Sequence, residues 1–404
     1  MDVRKRGYVN DDYRIWKTTV VSVSGRPVQL ASKPGVFSHG SVDPSSLLLA
    51  EHVRPRQGEI VVQMNCGNGL LGAAVALMSK ASKVILTDRN ALAIEAAAQT
   101  LRANDVHAAA LSLGHGSIGL SATLSADVVA IRIPHEKLAL LQLLHDAFGL
   151  LRPGGQCYLA GATSEGIKSG ARIAGHMFGN VETVAAANGH RLVRVDKVAS
   201  DAVLPSDQMD VRYLDHDVFR ELAAQLRGDT YTFCSRPGVF SWDHLDEATA
   251  ILVDHMDIRQ DDRVLDLGCG YGVLGVVAGL LARAHPVTML DVDSEAVRSA
   301  ARSASLSGLD DARIIASDVA SAVLEEQFDV VVTNPPFHVG KATDLDVPIQ
   351  FIHDAWQVLA PGGRLNLVAN RTLPYEGAIR FLFKNVSMAH DGRRFKVLTA
   401  VKQG

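Results

Sequence analysis

Short apolar runs rich in valine, isoleucine and leucine alternate along this chain with longer stretches rich in alanine and leucine. Few polar positions interrupt the apolar runs, which indicates strands buried on both faces of a sheet. The longer stretches are predicted helices, and this alternation is typical of a parallel sheet with helices on both faces. The predicted strands comprise residues 59–63, 84–87 and 127–131 in the first half of the chain and residues 263–266, 287–290 and 329–333 in the second half.

The same order of motifs occurs twice in the chain. SKPGVFS at residues 32–38 returns 203 positions later as SRPGVFS, and the run QMNCGNGLLG at 63–72 returns as DLGCGYGVLG. A repeat of this length is a duplicated domain and not a solenoid unit, whose period is roughly 20–50 residues. We therefore predict two tandem α/β domains, residues 1–205 and 206–404.

Composition excludes several classes of protein. Hydrophobic residues make up 47% and charged residues 21% of the 404 positions, which fits globular domains. The longest apolar stretch, residues 273–282, is far shorter than the roughly 20 residues of a membrane-spanning helix. No apolar core of a secretory signal follows the basic N-terminus, so we expect a cytoplasmic protein without a membrane partner. The four cysteines form no Cys-x-x-Cys pair, and no metal site is expected.

The glycine-rich run of the second half predicts a cofactor loop between a strand and a helix. Gly268, Gly270 and Gly272 allow the backbone to turn tightly and to approach a ligand. Asp266 stands directly before this turn, where a carboxylate would repel the pyrophosphate of a dinucleotide but suit the cationic amino group of S-adenosylmethionine. The sequence thus favours a methyl donor over a nicotinamide cofactor.

Two further carboxylates follow the next predicted strands. Asp291 stands near the spacing at which an acidic side chain takes ribose hydroxyls, with a helix N-cap as the alternative. Asp318 is either an acceptor for the adenine amine or an exposed loop residue. Together with Val292 and Val319, which follow them directly, and with Asn334 further along the chain, these residues complete the predicted cofactor site.

The run DVVVTNPPFH at residues 329–338 contains the candidate reaction site. Two prolines stop the strand and fix a rigid loop. An exocyclic amine on a base is a poor nucleophile because its lone pair is delocalised into the ring. If the Asn334 side-chain oxygen and the Pro335 carbonyl accept both amine hydrogens, the nitrogen becomes pyramidal and its lone pair points at the methyl group. Pro336 and Phe337 are the predicted substrate contacts, with the Phe337 ring stacked on the base; a proline turn without chemistry is the alternative.

These motifs resemble those of class I methyltransferases with an Asn-Pro-Pro-aromatic loop, specifically the duplicated-domain ribosomal RNA guanine-N2 methyltransferases. The resemblance rests on PGVFS at 237–241, DLGCGYG at 266–272, NPPFH at 334–338 and VANR at 368–371. It implies two Rossmann-like domains, each with a seven-stranded, mostly parallel sheet. It also implies methylation of the N2 amine of a guanine in 16S rRNA of the small ribosomal subunit, by a chain that we expect to be a monomer. Large-subunit rRNA is the sister substrate, and FHVG at 337–340 favours the small subunit.

Asn370 and Arg371 follow a late predicted strand, residues 364–368. In one interpretation they hold the RNA, with Arg371 as a phosphate or base contact. In the other, they cap a helix or form a surface salt bridge. Because the net charge is −4, any RNA contact must come from local patches of this kind.

The first half lacks the residues that this chemistry needs. Gln63 replaces Asp266, His115 replaces Asp318, and RIPH at 132–135 replaces NPPF. Arginine offers donors only and cannot accept the hydrogens of an amine. We therefore predict a silent N-terminal copy that binds the cofactor poorly and serves as an RNA-docking module. The candidate phosphate contacts are Arg4, Lys5, Arg6, Arg14, Lys17, Arg54 and Arg56, for which solvated surface charge is the more common explanation.

Three other functions stay open at the level of the sequence. Asn-Pro-Pro-aromatic loops also serve the methylation of adenine N6 in nucleic acids and of glutamine side chains in proteins. The chain is alternatively a non-catalytic ribosome assembly factor, a view against which the intact second half argues.

Overall fold

The computed structural model describes residues 12–79, 83–204, 210–336 and 345–404. These residues form two compact units. The N-terminal unit comprises Trp16–Val218, and the C-terminal unit comprises Phe219–Gly404 together with residues 12–15. The predicted boundary between residues 205 and 206 stays a prediction, because residues 205–209 lie outside the described part of the chain.

The N-terminal unit consists of a hairpin and a larger sheet. Its strands are β1 Lys17–Val23, β2 Arg26–Ser32, β3 Ile60–Met64, β4 Lys83–Asp88, β5 Ala109–Leu113, β6 Ala126–Arg132, β7 Leu151–Ala162, β8 Glu182–Ala187 and β9 His190–Asp196. Its helices are α1 Pro44–His52, α2 Leu70–Met78, α3 Ala91–Ala103, α4 Lys137–Leu150 and α5 Ile167–Phe178. The larger sheet has the order β5-β4-β3-β6-β7-β9-β8, and only β9 runs antiparallel to its neighbours.

The C-terminal unit repeats this architecture. Its strands are β10 Arg220–Leu226, β11 Asp229–Ser235, β12 Val264–Leu267, β13 Thr288–Asp291, β14 Arg313–Ala316, β15 Phe328–Thr333, β16 Leu359–Asn370, β17 Ser387–Asp391 and β18 Phe395–Val401. Its helices are α6 Glu247–His255, α7 Val273–Leu281, α8 Ser294–Leu306, α9 Asp346–Val358 and α10 Tyr375–Phe383. The sheet order is β14-β13-β12-β15-β16-β18-β17, with β18 antiparallel to its neighbours.

Each large sheet separates two hydrophobic clusters. In β15, Val330 and Val332 pack into one cluster and Val331 packs into the other, and all three side chains are fully buried. Alternate residues of a strand point to opposite faces, so both faces of the sheet are covered. Among the described residues, no helix is both long and apolar enough to cross a membrane.

The predicted fold class of two tandem Rossmann-like domains is confirmed. All six predicted strands are present, with ends displaced by at most one residue, and each large sheet has seven mostly parallel strands. In the C-terminal unit, β12 lies between β13 and β15, so the strand order reverses between β12 and β15. Open α/β sheets bind ligands beyond the carboxyl ends of their strands at such a reversal.

Candidate functional site

The loop after β12 has the conformation that its glycines predict. Gly268, Gly270 and Gly272 have φ of 76°, 54° and 93°, a region that residues with a side chain seldom adopt. The amide of Gly270 donates to Oδ2 of Asp291 at 2.8 Å, which ties the loop to the end of β13. A Cβ on Gly272 would lie 3.2 Å from Ala300 of α8, closer than packed atoms ordinarily come. The sequence therefore folds here into a tight turn held against the neighbouring strand and helix.

Asp266 lies beneath this loop with a fully buried side chain. Its Oδ2 accepts a hydrogen bond from the Gly275 amide at 2.7 Å, and its Oδ1 has no hydrogen-bond partner among the described residues. Burial raises the pKa of this carboxyl to about 8, against the opposing effect of the Gly275 hydrogen bond. The observed contact is thus with the backbone, and the predicted contact with the cofactor stays a prediction.

The N-terminal unit makes the same backbone contact without a charge. There, Oε1 of Gln63 accepts a hydrogen bond from the Gly72 amide at 3.1 Å. A neutral amide oxygen therefore suffices to hold the helix that follows the loop. The buried carboxyl of Asp266 needs a different explanation, because burial without an ionic partner disfavours its charged form.

The carboxylates at the ends of β13 and β14 are fixed by their surroundings. Oδ1 of Asp291 accepts from the Asp293 amide at 2.9 Å, and Asp293, not Asp291, is the N-cap of α8. Asp318 is buried, and its Oδ1 accepts from the hydroxyl of Tyr13 at 2.8 Å. The N-cap alternative for Asp291 and the exposed-loop alternative for Asp318 are therefore wrong.

The two valines that follow these carboxylates differ in their backbone conformation. Val292 is half-buried, and Val319 is buried with a positive φ of 51°. A β-branched residue adopts such a φ only where its surroundings impose it. The loop after β14 is accordingly held in one conformation at the edge where the predicted site lies.

The side chain of Asn334 has a fixed orientation. Its Nδ2 donates to Oδ2 of Asp246 at 3.1 Å and to Oγ1 of Thr249 at 3.0 Å. Asp246 is the N-cap of α6 and also accepts from the Thr249 amide at 2.8 Å. Because a carboxylate only accepts hydrogen bonds, the amide nitrogen of Asn334 faces Asp246 and its Oδ1 points away from that pair.

Sequence reasoning missed Asp246 and Thr249. A signal for them exists, since an aspartate followed three positions later by a hydroxyl residue is a helix N-cap pattern. The pattern occurs at both copies of the repeat, as Asp43 with Ser46 and as Asp246 with Thr249. The pattern does not predict that Asp246 contacts Asn334, because 88 residues separate the two.

The residues after Asn334 are described only in part. β15 ends at Thr333, as the two prolines predict, with Pro335 buried and Pro336 exposed. Phe337, with its predicted stacking on the base, lies outside the described residues.

Asn370 and Arg371 make local contacts. Oδ1 of Asn370 accepts from the amide and the hydroxyl of Thr372 at 3.1 and 3.0 Å. The Arg371 guanidinium pairs with Asp391 and donates to the Gly392 carbonyl at 2.7 Å. These contacts fit the turn and salt-bridge interpretation, and the RNA contact of both residues stays a prediction.

The corresponding place in the N-terminal unit contains a cation. Arg132, at the position of Asn334 in the repeat, donates to Asp43 at 3.4 Å and to Glu165 at 2.6 Å. Its guanidinium also lies 4.6 Å from the centre of the Phe37 ring. Phe37, Asp43 and Arg132 line a cavity of about 180 Å³ that also reaches Asp88. No amide oxygen stands where Asn334 presents one in the C-terminal unit.

Comparison with known proteins agrees with the repeat. The family model of the methyltransferase small domain matches the chain twice, at residues 27–194 and 230–399. Two relatives carry the name ribosomal RNA small subunit methyltransferase C. The protein of Psychromonas ingrahamii is 30% identical over 280 residues, which are 68% of this chain and 76% of the relative. The protein of Hahella chejuensis is 33% identical over 289 residues, 70% of this chain and 80% of the relative.

A solved structure is similar over nearly the whole chain. It is the 16S rRNA N2 methyltransferase RsmC of T. thermophilus, determined in complex with AdoMet and guanosine. The TM-score is 0.78 at 28% sequence identity, and the match covers 98% of this chain and 100% of the other.

Proposed function

Because the chain belongs to the methyltransferase small domain family and, within it, to ribosomal RNA small subunit methyltransferase C, we propose that its C-terminal unit methylates the exocyclic N2 amine of a guanine in 16S rRNA. The family predicted from the sequence is confirmed, and S-adenosylmethionine is the cofactor of this family. Bound at the site, this cofactor supplies an electrophilic methyl group on a sulfonium sulfur.

The orientation of Asn334 carries the proposal. Asp246 and Thr249 take the amide hydrogens, so the Asn334 oxygen is available to accept a hydrogen from a substrate amine. The Pro335 carbonyl accepts the second hydrogen. Two acceptors favour a pyramidal nitrogen, whose lone pair forms the new C–N bond as the C–S bond breaks and its electrons stay on sulfur. The methylated nitrogen then releases its extra proton to water.

The buried carboxyl of Asp266 supports the proposed cofactor. Its structural contact needs only a neutral oxygen, as Gln63 demonstrates. A carboxylate at this position becomes favourable when a cationic group binds nearby, and the methionine part of the cofactor carries an ammonium and a sulfonium. Asp291 at the end of β13 is proposed to take the ribose hydroxyls, and Asp318 to accept the adenine amine. Gly268, Gly270, Gly272, Val292 and Val319 shape the pocket.

The substrate is an RNA, and we propose that it is presented within the small ribosomal subunit in the cytoplasm to a monomeric enzyme. The N-terminal unit contributes no methyl transfer, since Arg132 stands in place of Asn334. Its role is docking of the RNA. Among the described candidates for phosphate contacts, Arg14 pairs with Asp354 within the C-terminal unit at 2.7 Å, and Arg54 donates to the Ala50 carbonyl at 2.8 Å.

Labelled cofactor and separated ribosomal subunits test this function. The full chain is incubated with methyl-labelled S-adenosylmethionine and small subunits, large subunits or naked 16S rRNA, and the RNA is digested to nucleosides. We expect label in N2-methylguanosine from the small subunit. An Arg132→Ala variant keeps this activity, whereas Asn334→Ala loses it. Label in the large subunit, in N6-methyladenosine or in protein glutamine would contradict the proposal, and no label in any fraction would favour an assembly factor.

A further inference from the structure

The N-terminal segment, residues 12–15, belongs to the C-terminal unit by its contacts. The Tyr13 ring is buried in the same hydrophobic cluster as Leu265 and Val319, and its hydroxyl donates to Oδ1 of Asp318 at 2.8 Å. Burial and the Asp318 charge raise the pKa of Tyr13, so the phenol stays protonated and is the donor. The N-terminal segment therefore holds the carboxylate of Asp318, which lies just after β14.

Arg14 extends this contact to the backbone of the same loop. Its Nη2 lies 2.7 and 2.8 Å from the two carboxylate oxygens of Asp354 on α9. Asp354 is fully buried, and its Oδ2 accepts from the Ala320 amide at 3.0 Å. Gln350, one turn earlier on α9, donates to Oδ1 of Asp354 at 2.7 Å. The residues Asp318 to Ala320 are thus held on two sides by Tyr13 and, through Asp354, by Arg14.

The N-terminal unit contains a related network, built with the middle segment, residues 210–218, which contacts Asp146 of α4 as Arg14 contacts Asp354 of α9. Nε2 of His216 lies 2.9 Å from Oδ2 of Asp146, which accepts from the Ser117 amide at 2.9 Å. Gln142, one turn earlier on α4, lies 3.1 Å from Nδ1 of His216. In the repeat, His216 corresponds to Tyr13, Ser117 to Ala320, Asp146 to Asp354 and Gln142 to Gln350.

Each unit thus contains a short segment that precedes, in sequence, the first strand of the other unit. The N-terminal segment precedes β1 in the chain but packs in the C-terminal unit, and the middle segment precedes β10 but packs in the N-terminal unit. In both units, a segment from elsewhere in the chain contacts the buried aspartate of a helix, and that aspartate accepts a hydrogen bond from a loop amide. This shared arrangement is a built feature and not a chance contact of a chain end. In the C-terminal unit, this feature acts on a loop of the proposed cofactor site.

We propose that Tyr13 and Arg14 are positioning residues of the cofactor site, which hold Asp318 and its loop in place to receive the adenine amine. This proposal rests on the proposed function. Tyr13 fixes the rotation of the Asp318 carboxylate, and Arg14 fixes the backbone through Asp354. The active unit is therefore complete only with residues that the chain places before the N-terminal unit.

Two nucleoside probes test the role of Tyr13 in the full chain. S-adenosylhomocysteine carries the adenine amine, and S-inosylhomocysteine carries a carbonyl oxygen at the same position. We expect Tyr13→Phe, which keeps the buried ring, to raise the Kd for the adenosyl ligand about 5- to 20-fold and to change the Kd for the inosyl ligand less than about twofold. At saturating S-adenosylmethionine, kcat stays near that of the wild type while KM for the cofactor rises. The matched control is His216→Phe, which replaces the residue that corresponds to Tyr13, removes its contact with Asp146 in the N-terminal unit and leaves both Kd values unchanged.

A second variant covers the case in which Tyr13→Phe folds poorly. The Arg14 side chain is 35% exposed, so Arg14→Lys opens no cavity in the core and keeps a cation beside the buried Asp354, and we expect it to weaken binding of the adenosyl ligand about 3- to 10-fold. Unchanged adenosyl binding in both variants overturns the proposal, and so does an equal loss for both ligands, which would indicate general support of the fold. Failure of the wild type to bind either ligand would instead overturn the proposed function itself.

Discussion

The side-chain nitrogen of Asn334 lies 3.1 Å from Oδ2 of Asp246, the residue that caps helix α6. In the N-terminal unit, the corresponding aspartate, Asp43, caps α1 and faces Arg132. The same helix start thus orients an acceptor in one unit and binds a cation in the other. The capping aspartate is common to both units, whereas Asn334 in the C-terminal unit corresponds to Arg132 in the N-terminal unit.

Thr249 is expected to act on catalysis through Asn334. Thr249→Ala removes one of the two acceptors that hold the amide, so a fraction of Asn334 side chains turns its nitrogen toward the substrate. We expect kcat to fall about tenfold, as for the loss of one hydrogen bond, with little change in the Kd for S-adenosylmethionine. Steady-state kinetics at saturating cofactor and calorimetry measure the two quantities.

Ser46→Ala is the matched control for this substitution. Ser46 donates its hydroxyl to Asp43 at 2.8 Å, as Thr249 does to Asp246 at 3.0 Å, but it belongs to the N-terminal unit. Both variants therefore lose a similar part of their helix cap. Equal effects of the two on kcat would show that Thr249 supports only the fold.

Asn334→Ala separates chemistry from cofactor binding. The variant loses the acceptor for the amine hydrogen, and we expect the rate of transfer to fall at least about 100-fold, as when a positioned polar group is removed from an active site. The Kd for S-adenosylmethionine stays within about twofold of the wild type. An equal loss of binding and transfer would mean that Asn334 holds the cofactor and not the substrate.

The fold was predictable because its signal is local. The alternation of apolar runs and helical stretches gives six central strands to within one residue, and the internal repeat gives the second unit. The strand predicted at residues 364–368 is longer at both ends, Leu359–Asn370. Asn334 and Asp266 were also predicted from local sequence. Asn334 directly follows a predicted strand, and Asp266 stands directly before the glycine-rich turn.

The contacts that orient the site were not predictable, because they join distant parts of the chain. Asp246 and Asn334 are 88 residues apart, and Tyr13 and Asp318 are 305 apart. Hydrophobic periodicity specifies which face of an element is buried but not which distant polar group it meets. The assignment of Arg14 to RNA docking failed for this reason, since its partner is on α9.

Asp266 is expected to make the stability of the C-terminal unit depend on pH. Its pKa in the folded protein is about 8, above the ordinary value of 3.8, so the folded state binds more protons than the unfolded state between these values. The stabilisation that this carboxyl contributes is fully present below pH 3.8 and is lost as the pH rises through about 8. Asp266→Asn keeps an oxygen for the Gly275 amide. We expect the free energy of unfolding of this variant to exceed that of the wild type by about 1–3 kcal/mol at pH 9 and to differ little from it near pH 4. Urea unfolding without cofactor measures the difference.

The mirror substitution in the N-terminal unit is Gln63→Glu. It places a carboxyl where a neutral amide accepts from Gly72, so it should destabilise that unit more at pH 9 than at pH 5.

The Asp266→Asn variant also tests the role of this carboxyl in cofactor binding. If it binds S-adenosylmethionine as tightly as the wild type at pH 9, the charge of Asp266 has no part in holding the cofactor.

Asp291 and Asp88 provide the most direct test of which unit binds the cofactor. Each accepts a hydrogen bond from a loop glycine, at 2.8 Å from Gly270 and at 3.0 Å from Gly67, so alanine at either position loosens its own loop to a similar extent. Only Asp291 lies in the unit that also has the buried carboxyl of Asp266. We therefore expect Asp291→Ala to raise the Kd for S-adenosylmethionine more than about 100-fold, as for a lost charge-assisted contact together with its loop, and Asp88→Ala to leave it unchanged. Calorimetry gives both the Kd and the number of sites, and a second site that disappears in Asp88→Ala would show that the N-terminal unit retains the cofactor.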